Sequence, residues 1–272
     1  MAKAELVLIG TDDGIVLLSN PGGIGRWLRS AHTLRGHTIV ATWAHPNNPT
    51  QMLCSDGAQL WRSADGGQQW DQIDGPACQR LIASRSTSDR IWAHDGQYAY
   101  MSDDAGMTWQ VLAPADAIAG GGDSLWYRHK TTGHLKKSDD VTWTETPPWQ
   151  QVLISHDGQH IWHHHDHHLG TDQHIINETP SAFVPLLACA GDVCVVGTAP
   201  SGIWRYAGAW QIIDGLSAQS ITVMTTTLYH PDRAWAGDTN GNVWYSSDRC
   251  VTWELIRGGF TSIRALATAR LM

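Results

Sequence analysis

The sequence has little of three features that mark common classes of protein. Basic residues are outnumbered, and the formal net charge of -8 at pH 7 argues against nucleic-acid binding, which needs a basic surface. No apolar run is long enough to span a bilayer, and the predicted strand Leu6–Ile9 follows without the apolar core of a signal peptide. The five cysteines, an odd number, suit a reducing compartment. We therefore expect a cytoplasmic protein that does not insert into membranes.

Phenylalanine and glutamate are also scarce, and what replaces them is informative. Fifteen tryptophans stand against two phenylalanines, and they recur periodically, as the buried anchors of a repeated unit would. Glutamate is rare among the acidic residues, whereas the aspartates cluster in turn contexts such as Asp-Gly. This pattern favours many tight hairpins over helices. No stretch has a convincing helical period, and we predict an all-β chain.

One octet organises the chain, Ser102–Trp109, which reads Ser-x-Asp-x-Gly-x-Thr-Trp. Its serine and aspartate side chains can bond nearby backbone N–H groups and so hold a turn. Its glycine permits a positive φ angle, and its tryptophan anchors the strand that follows. Imperfect copies recur, and the key residues of the four copies are Ser63, Asp65, Gly67 and Trp70; Ser102, Asp104, Gly106 and Trp109; Ser138, Asp140 and Trp143; Ser246, Asp248 and Trp253.

This octet resembles the Asp-box, or BNR repeat, of sialidases, sortilin-type receptors, xyloglucanases and the photosystem II assembly-factor propellers. The four copies extend the resemblance over nearly the whole chain. The resemblance implies a sialidase-like β-propeller in which each box forms a turn at the edge of a blade. It also implies that the face opposite the boxes holds the mouth of the central channel and, in the enzymes, the active site.

The spacing of the tryptophans gives the number of repeats. Intervals of roughly 40 residues match a four-stranded propeller blade, and one interval is about twice as long. We therefore predict a single domain, residues 1–272, folded as a seven-bladed β-propeller of four-stranded antiparallel blades. The first blade has only three strands of its own, and we expect the C-terminal strand Thr261–Thr268 to complete it. This pairing closes the ring and leaves no exposed sheet edge between its ends.

Three Asp-Gly pairs follow the predicted second strands of the first three units, Asp13-Gly14, Asp56-Gly57 and Asp95-Gly96. Asp-Gly is typical of two-residue hairpins, because both residues tolerate the positive φ angles that such turns need. We therefore predict a two-residue turn at each pair. In the fifth unit, Asp166-His167 takes the same place.

The densest unusual cluster is in residues 160–168, which include six histidines. With a turn at Asp166-His167, His165 faces His168 across the two strands, and strand alternation places His163 on the same side. Three imidazoles on one side predict a site for one divalent transition metal, Zn, Cu, Ni or Fe, with Asp166 able to orient one ring. The alternative interpretation is a polar hairpin tip that tolerates histidine.

The predicted position of this hairpin is the open face, where the connections between blades also lie. Taken singly, the candidate neighbours on that face are more readily explained as structural residues. They are His37, Cys78, His94, His129, His134 and Trp149.

No catalytic set stands out in the sequence. A glycosidase needs two opposed carboxylates, and the resemblance to sialidases implies an arginine triad, a Tyr–Glu pair and an Arg-Ile-Pro motif. The chain has no Arg-Ile-Pro, and Arg80, Arg85 and Arg264 are the only arginines predicted on inner strands. Sialidase activity is therefore not expected, while two-aspartate chemistry of the xyloglucanase type stays open.

Two classes of function remain. We expect a monomeric binding or assembly module that takes a protein or a small molecule on the open face. The alternative is a metal-dependent or carbohydrate-active enzyme, glycoside hydrolase-like, at the same face. Fold alone does not decide between them.

Overall fold

The described part of the chain folds into β-strands joined by turns, with one short 3-10 turn at Pro21–Gly23. The computed structural model describes residues 4–23, 25–121, 124–133, 135–137, 151–155, 161–165, 168–171, 175–176, 183–188, 193–198, 202–216, 220–227 and 229–271. Within these ranges no helix has the length and apolar character needed to cross a membrane.

The strands are numbered in chain order. The first thirteen are β1 (Ala4–Thr11), β2 (Gly14–Asn20), β3 (Leu28–Thr33), β4 (Ala41–Ala44), β5 (Met52–Ser55), β6 (Leu60–Ser63), β7 (Asp71–Ile73), β8 (Arg80–Ala83), β9 (Ile91–His94), β10 (Tyr98–Ser102), β11 (Gln110–Gly121), β12 (Ser124–His129) and β13 (Leu135–Lys137). The others are β14 (Gln151–Ile154), β15 (Ile161–His165), β16 (His168–Thr171), β17 (Ile175–Ile176), β18 (Phe183–Ala188), β19 (Cys194–Thr198), β20 (Gly202–Tyr206), β21 (Trp210–Ile213), β22 (Ile221–Thr226), β23 (Ala234–Asp238), β24 (Val243–Ser246), β25 (Glu254–Arg257) and β26 (Ile263–Leu271).

Among the described residues these strands form six antiparallel sheets arranged as a closed ring. Five sheets have four strands each and one has six. In order around the ring they are β26-β1-β2-β3, β4-β5-β6-β7, β8-β9-β10-β11-β12-β13, β14-β15-β16-β17, β18-β19-β20-β21 and β22-β23-β24-β25. The first strand of each sheet contacts the first strand of the next, except that β11, within the six-stranded sheet, makes the contact with β14. Sheets packed around a ring in this way are the architecture of a β-propeller.

The prediction of seven separate four-stranded blades is wrong, because the described residues form six sheets. The third and fourth predicted units share β11, a continuous strand of 12 residues. Its first part pairs with β10 and its second part with β12, and a register shift lies between Ala115 and Ala117. The six residues Asp74–Gln79 separate β7 from β8, whereas no such connection interrupts β11. Since the chain stays extended through Pro114, the hydrogen-bonded ladder runs from one unit into the next.

The predicted closure of the ring is confirmed. β26 pairs with β1 along its whole length, with Leu6 opposite Ala269 and Ile9 opposite Leu266. The start of β26 also bonds the first turn, because the Asp12 N–H donates to the Ser262 carbonyl at 3.0 Å. The two ends of the described chain are therefore held in one sheet.

The core lies between neighbouring sheets, and its largest buried side chains come from second strands. Trp92, Trp162 and Trp235 occupy equivalent places in β9, β15 and β23, and each is at most 2% exposed. The tryptophans of the box turns differ, since Trp109 and Trp253 are only partly buried. The main apolar anchors are thus the second-strand tryptophans.

The loops between second and third strands differ from the predicted Asp-Gly turns. Asp12 and Asp13 form the two-residue loop between β1 and β2, because Thr11 pairs with Gly14. The next loop has four residues, since Ser55 pairs with Leu60. Asp56 shapes it by accepting hydrogen bonds from the Ala58 and Gln59 N–H groups at 2.9 and 2.8 Å. The Asp56 side chain therefore stabilises a four-residue loop, and Asp56-Gly57 does not form the predicted two-residue turn.

Candidate functional site

The ring has two faces that are built from different loops. The face here called the box face carries the loops between first and second strands and the Ser-Asp turns between third and fourth strands. The opposite face carries the loops between second and third strands and the connections between sheets. This division follows from the antiparallel order of the strands in each sheet, and it assigns each candidate residue to one end of the central channel.

The Ser-Asp turns are held by one repeated set of hydrogen bonds. In the turn at 102–109, the Ser102 hydroxyl donates to the Asp104 carboxylate at 2.8 Å and accepts from the Gly106 N–H at 2.9 Å. The same carboxylate accepts from the Thr108 N–H at 2.8 Å. Equivalent bonds hold the turns at 63–70 and 246–253. The fourth predicted turn, with Ser138, Asp140 and Trp143, lies outside the described residues.

Each described box turn is also anchored to the first loop of its own sheet. The N–H groups of Gly66, Ala105 and Arg249 donate to carbonyl groups of that loop at 2.9, 2.9 and 2.8 Å. The serine and aspartate side chains are therefore occupied inside the fold. These hydrogen bonds hold the turns in shape.

A ring of exposed polar residues marks the channel mouth on the opposite face. These residues lie near the point where the chain passes from the opposite face into the innermost strand of a sheet or, at β11, into its second part. We call them the mouth ring. Its described members are Thr38, Arg80, Asp116, Thr222 and Arg264. Polar side chains in this position leave the mouth accessible to a hydrophilic ligand.

Two members of the mouth ring are charge-paired. Arg264 donates from Nε and Nη2 to the Asp12 carboxylate at 2.7 and 3.1 Å, and this pairing raises the pKa of the guanidinium. The Arg128 Nε donates to Asp116 at 2.7 Å. The charges of these groups are largely satisfied by their partners.

Arg80 is the exception. It is the first residue of β8, opposite His94, and its side chain is exposed to solvent. No hydrogen bond or ion pair joins its guanidinium to another residue of the described part of the chain. The surrounding protein nevertheless desolvates the group and lowers its pKa. An arginine remains charged under all physiological conditions, so the mouth ring holds one uncompensated cation that is partly shielded from bulk water.

His37 lies on the opposite face and belongs to a small polar cluster. Its Nδ1 is 3.3 Å from the Asp56 carboxylate, and its ring packs edge-on against Trp61 with centroids 4.9 Å apart. Burial raises the pKa of Asp56, but the hydrogen bonds that it accepts from backbone N–H groups and from His37 outweigh this effect and lower the pKa. The pair therefore carries an ionised carboxylate at neutral pH.

His94 and Cys78 are internal residues. The Nε2 of His94 donates a hydrogen bond to the Ala115 carbonyl at 3.2 Å. The Cys78 thiol donates to the Pro76 carbonyl at 3.1 Å, and burial followed by the charge of Asp95 raises its pKa to about 12. A thiol with so high a pKa stays protonated at neutral pH and is a poor nucleophile.

The remaining predicted neighbours are only partly described. The Nδ1 of His129 accepts a hydrogen bond from the Thr131 N–H at 3.3 Å, which stabilises the turn after β12. His134, Trp149 and Asp166 lie outside the described residues. Of the three arginines predicted on inner strands, Arg80 and Arg264 lie there, while Arg85 follows the end of β8.

The histidine hairpin has the backbone register that the sequence predicts. β15 ends at His165, β16 begins at His168, and these two residues are direct partners across the ladder. His163 lies two residues before His165 in the same strand, opposite Gly170. The side chains of the three histidines lie outside the described set. Elsewhere in the described part of the chain, no group of three His, Cys, Asp or Glu side chains is placed to hold a metal.

Sequence reasoning identified the innermost arginines but not the difference between them. Asp12 and Arg264 are 252 positions apart, so their pairing is visible only after the ring closes. For Arg80, the sequence could indicate an unpaired charge only by the lack of a carboxylate nearby. Which carboxylates are nearby cannot be judged before the order of the strands is known.

Comparison with solved structures shows the fold. The chain is similar to a protein from Lactobacillus plantarum, with a TM-score of 0.63, 10% identity, and coverage of 97% of this chain and 99% of that chain. It is similar to apo AztD from Citrobacter koseri, with a TM-score of 0.59, 9% identity and coverage of 98% of both chains. For YCF48 from Cyanidioschyzon merolae the TM-score is 0.53 and the identity 12%, over 82% of this chain and 86% of that chain. No protein-family model and no curated protein matches the sequence. The chain is a β-propeller, as AztD and YCF48 are.

Proposed function

We propose that this protein is a binding scaffold that holds an anionic group of a protein or a small-molecule ligand at the channel mouth on the opposite face. The observation that carries the proposal is Arg80, an exposed guanidinium without a partner in the described mouth ring. The other described arginine of the ring is already paired with Asp12. A carboxylate of the ligand would form a charge-assisted, bidentate hydrogen bond with Arg80, of the kind that Arg264 makes inside the protein.

The closed ring suits this role. A rigid propeller presents the mouth ring without rearrangement, which lowers the entropic cost of binding. The partial desolvation of Arg80 strengthens its attraction for an anion, because the effective dielectric constant there is lower than in bulk water. Both effects favour recognition of a carboxylate-bearing segment over a neutral one.

The test uses selection of random peptides displayed on phage, with the purified wild-type protein and an Arg80→Gln variant as baits. We expect the wild type to enrich peptides that carry a carboxylate. Their affinities should fall at least about ten-fold for the variant, as a lost charge-assisted hydrogen bond predicts. The matched control is Arg90→Gln, which removes an arginine paired with Asp103 on the box face. Equal binding by wild type and Arg80→Gln would contradict the proposal.

A second candidate function is the binding of one divalent transition metal by His163, His165 and His168. The pairing of His165 with His168 across β15 and β16 favours this function, because directly paired residues of neighbouring strands lie side by side on one face of a sheet. Metal content should be measured on protein purified without a tag, and again on a His163/His165/His168→Ala variant. His164→Ala is the control, because strand alternation predicts the other face of the sheet for this residue. A stoichiometric metal lost only in the triple variant would support the site, whereas no bound Zn, Cu, Ni or Fe would refute it.

We further propose that the propeller is of the Asp-box type. Support comes from the three described turns, which share the same serine, aspartate and backbone hydrogen bonds despite differences in sequence. If this is right, an Asp104→Asn variant should lose stability without loss of binding per folded molecule, because the box face is remote from the mouth ring.

A further inference from the structure

A cleft of about 420 Å³ lies beside the first sheet, and its lining contains none of the described residues of the mouth ring. One wall is formed by β2 and β3, and another by the connection that leads from the last sheet into β26. The residues that line it are Thr11, Asp13, Val16, Arg29, His32, Arg35, Gly259, Phe260 and Thr261. Its volume is within the range of sites that bind small organic molecules.

The charge of the cleft is opposite to that of the protein. Two arginines and one histidine face a single carboxylate, although the whole chain has a net charge of -8. That carboxylate, Asp13, is already engaged by the Gly36 N–H at 2.9 Å and by Arg35 through Nε and Nη2 at 3.2 and 3.1 Å. These hydrogen bonds lower the pKa of Asp13, which therefore stays ionised and compensates Arg35.

Arg29 is left with its charge uncompensated. It lies on β3 opposite Leu18, it is exposed, and no ion pair or hydrogen bond engages it within the described ranges. His32 lies three residues further on, with Nε2 2.7 Å from the Asp13 carbonyl. A carbonyl can only accept, so Nε2 carries a proton and the other ring nitrogen is not used in that bond. Asp13 is the one carboxylate among the lining residues, and it is already bonded to Arg35 and Gly36. An anion next to Arg29 therefore meets no unpaired carboxylate in the cleft.

Both walls also carry an apolar residue, Val16 on β2 and Phe260 in the connection to β26. Val16 is fully buried, and Phe260 packs against the apolar cluster between the first and last sheets. The Phe260 backbone is held in place, because its N–H donates to the Gly241 carbonyl at 3.3 Å. A ring or a short chain of a ligand can rest against Phe260 while its charged end reaches Arg29.

We propose that this cleft binds a small organic oxyanion, with its phosphate or carboxylate at Arg29 and its apolar part against Phe260. The site is distinct from the mouth ring and does not depend on the function proposed for Arg80. Recognition rests on one uncompensated guanidinium, which favours bidentate contact with an oxyanion, and on the adjoining apolar surface, which favours an organic anion over an inorganic one.

The test compares three probes by isothermal titration calorimetry with the full-length protein: phenyl phosphate, benzoate and inorganic phosphate. We expect saturable binding of phenyl phosphate or benzoate, and the stronger of the two identifies the preferred anionic group. Inorganic phosphate should bind at least about five-fold more weakly, since it lacks the apolar part. Arg29→Gln should weaken binding about ten-fold or more.

Two variants complete the experiment. Arg26→Gln removes an exposed arginine near Arg29 that does not line the cleft, and it should bind like the wild type. Phe260→Leu preserves an apolar side chain but should reduce the preference for phenyl phosphate over inorganic phosphate. Absence of saturable binding by all three probes up to about 10 mM, or equal losses in Arg29→Gln and Arg26→Gln, would overturn the proposal.

Discussion

At the residue scale, the box turns depend on one backbone position that favours glycine. Gly67, Gly106 and Cys250 occupy it with φ angles of 83°, 85° and 66°. The N–H of each donates to the serine hydroxyl of its turn. Cys250 shows that the position can hold a side chain, but a left-handed backbone is unfavourable for any residue with a Cβ atom. Whether a box turn can accept a side chain at this position therefore depends on the space around the Cβ atom.

Gly106→Ala should destabilise the protein by about 2–4 kcal/mol, since overpacking adds to left-handed strain. A Cβ atom at this position would be only 2.5 Å from the Leu53 Cδ1 atom. Gly215→Ala is the matched control, because Gly215 has the same φ of 85° with open space around it. Urea unfolding measures both changes. Equal losses would show that backbone strain alone, and not contact with Leu53, limits this site.

At the scale of the element, the closing strand β26 has the largest structural role. It is the innermost strand of the first sheet, and it also contacts β4 and β22 of the neighbouring sheets. Without β26, β1 would present an unpaired edge to solvent. The contacts of three sheets therefore depend on one segment at the end of the chain.

Deletion of residues 260–272 should abolish the cooperative thermal transition or cause aggregation, because the first sheet loses its inner strand. Calorimetry and light scattering would measure the change. Addition of a synthetic peptide with the deleted sequence should restore a transition at least partly, which separates loss of the strand from general misfolding. A truncated protein that melts cooperatively at the wild-type temperature would show that the ring does not need this strand.

The second strands form the other critical element. Trp92 is 1% exposed at the centre of β9, whereas Trp109 at the end of its box turn is only partly buried. Trp92→Ala should therefore cost about 3–5 kcal/mol, and Trp109→Ala should cost less. Urea unfolding of the two variants gives the order. A greater loss for Trp109→Ala would mean that the box tryptophans, and not those of the second strands, are the main anchors.

The sequence predicted what local patterns determine. The aligned second strands, the closing strand and the partnership of His165 with His168 all follow from spacing and alternation, and all are present in the structure. The continuity of β11 was not predictable in this way. Whether a strand continues through Pro114 depends on the partners that are available on both sides, β10 and β12, and these are set by the packing of whole units. The pairing of Arg264 with Asp12 likewise depends on residues that only ring closure brings together.

At the scale of the whole molecule, the acidic residues stabilise the turns. Many of the carboxylates accept hydrogen bonds from backbone N–H groups, and their pKa values are lowered as a result. This holds on both faces of the ring, for Asp13, Asp56, Asp65, Asp95, Asp104 and Asp248. Burial opposes the effect at Asp104 and Asp248, but the bonds from Thr108 and Thr252 outweigh it. These six described aspartates therefore hold loops of the ring through their ionised side chains.

These lowered pKa values predict a loss of stability in acid. An aspartate whose pKa is lower in the folded than in the unfolded state stabilises the fold above its ordinary pKa of 3.8. This contribution is lost as the pH falls through the lower folded value. The melting temperature should therefore fall steeply from about pH 4 downward. An Asp104→Asn/Asp248→Asn variant should be less stable at pH 7, and its melting temperature should change less between about pH 5 and pH 3. Because the histidines are the same in both proteins, the difference between the two pH profiles reports the carboxylates. Parallel profiles would mean that the two box aspartates do not contribute to acid unfolding.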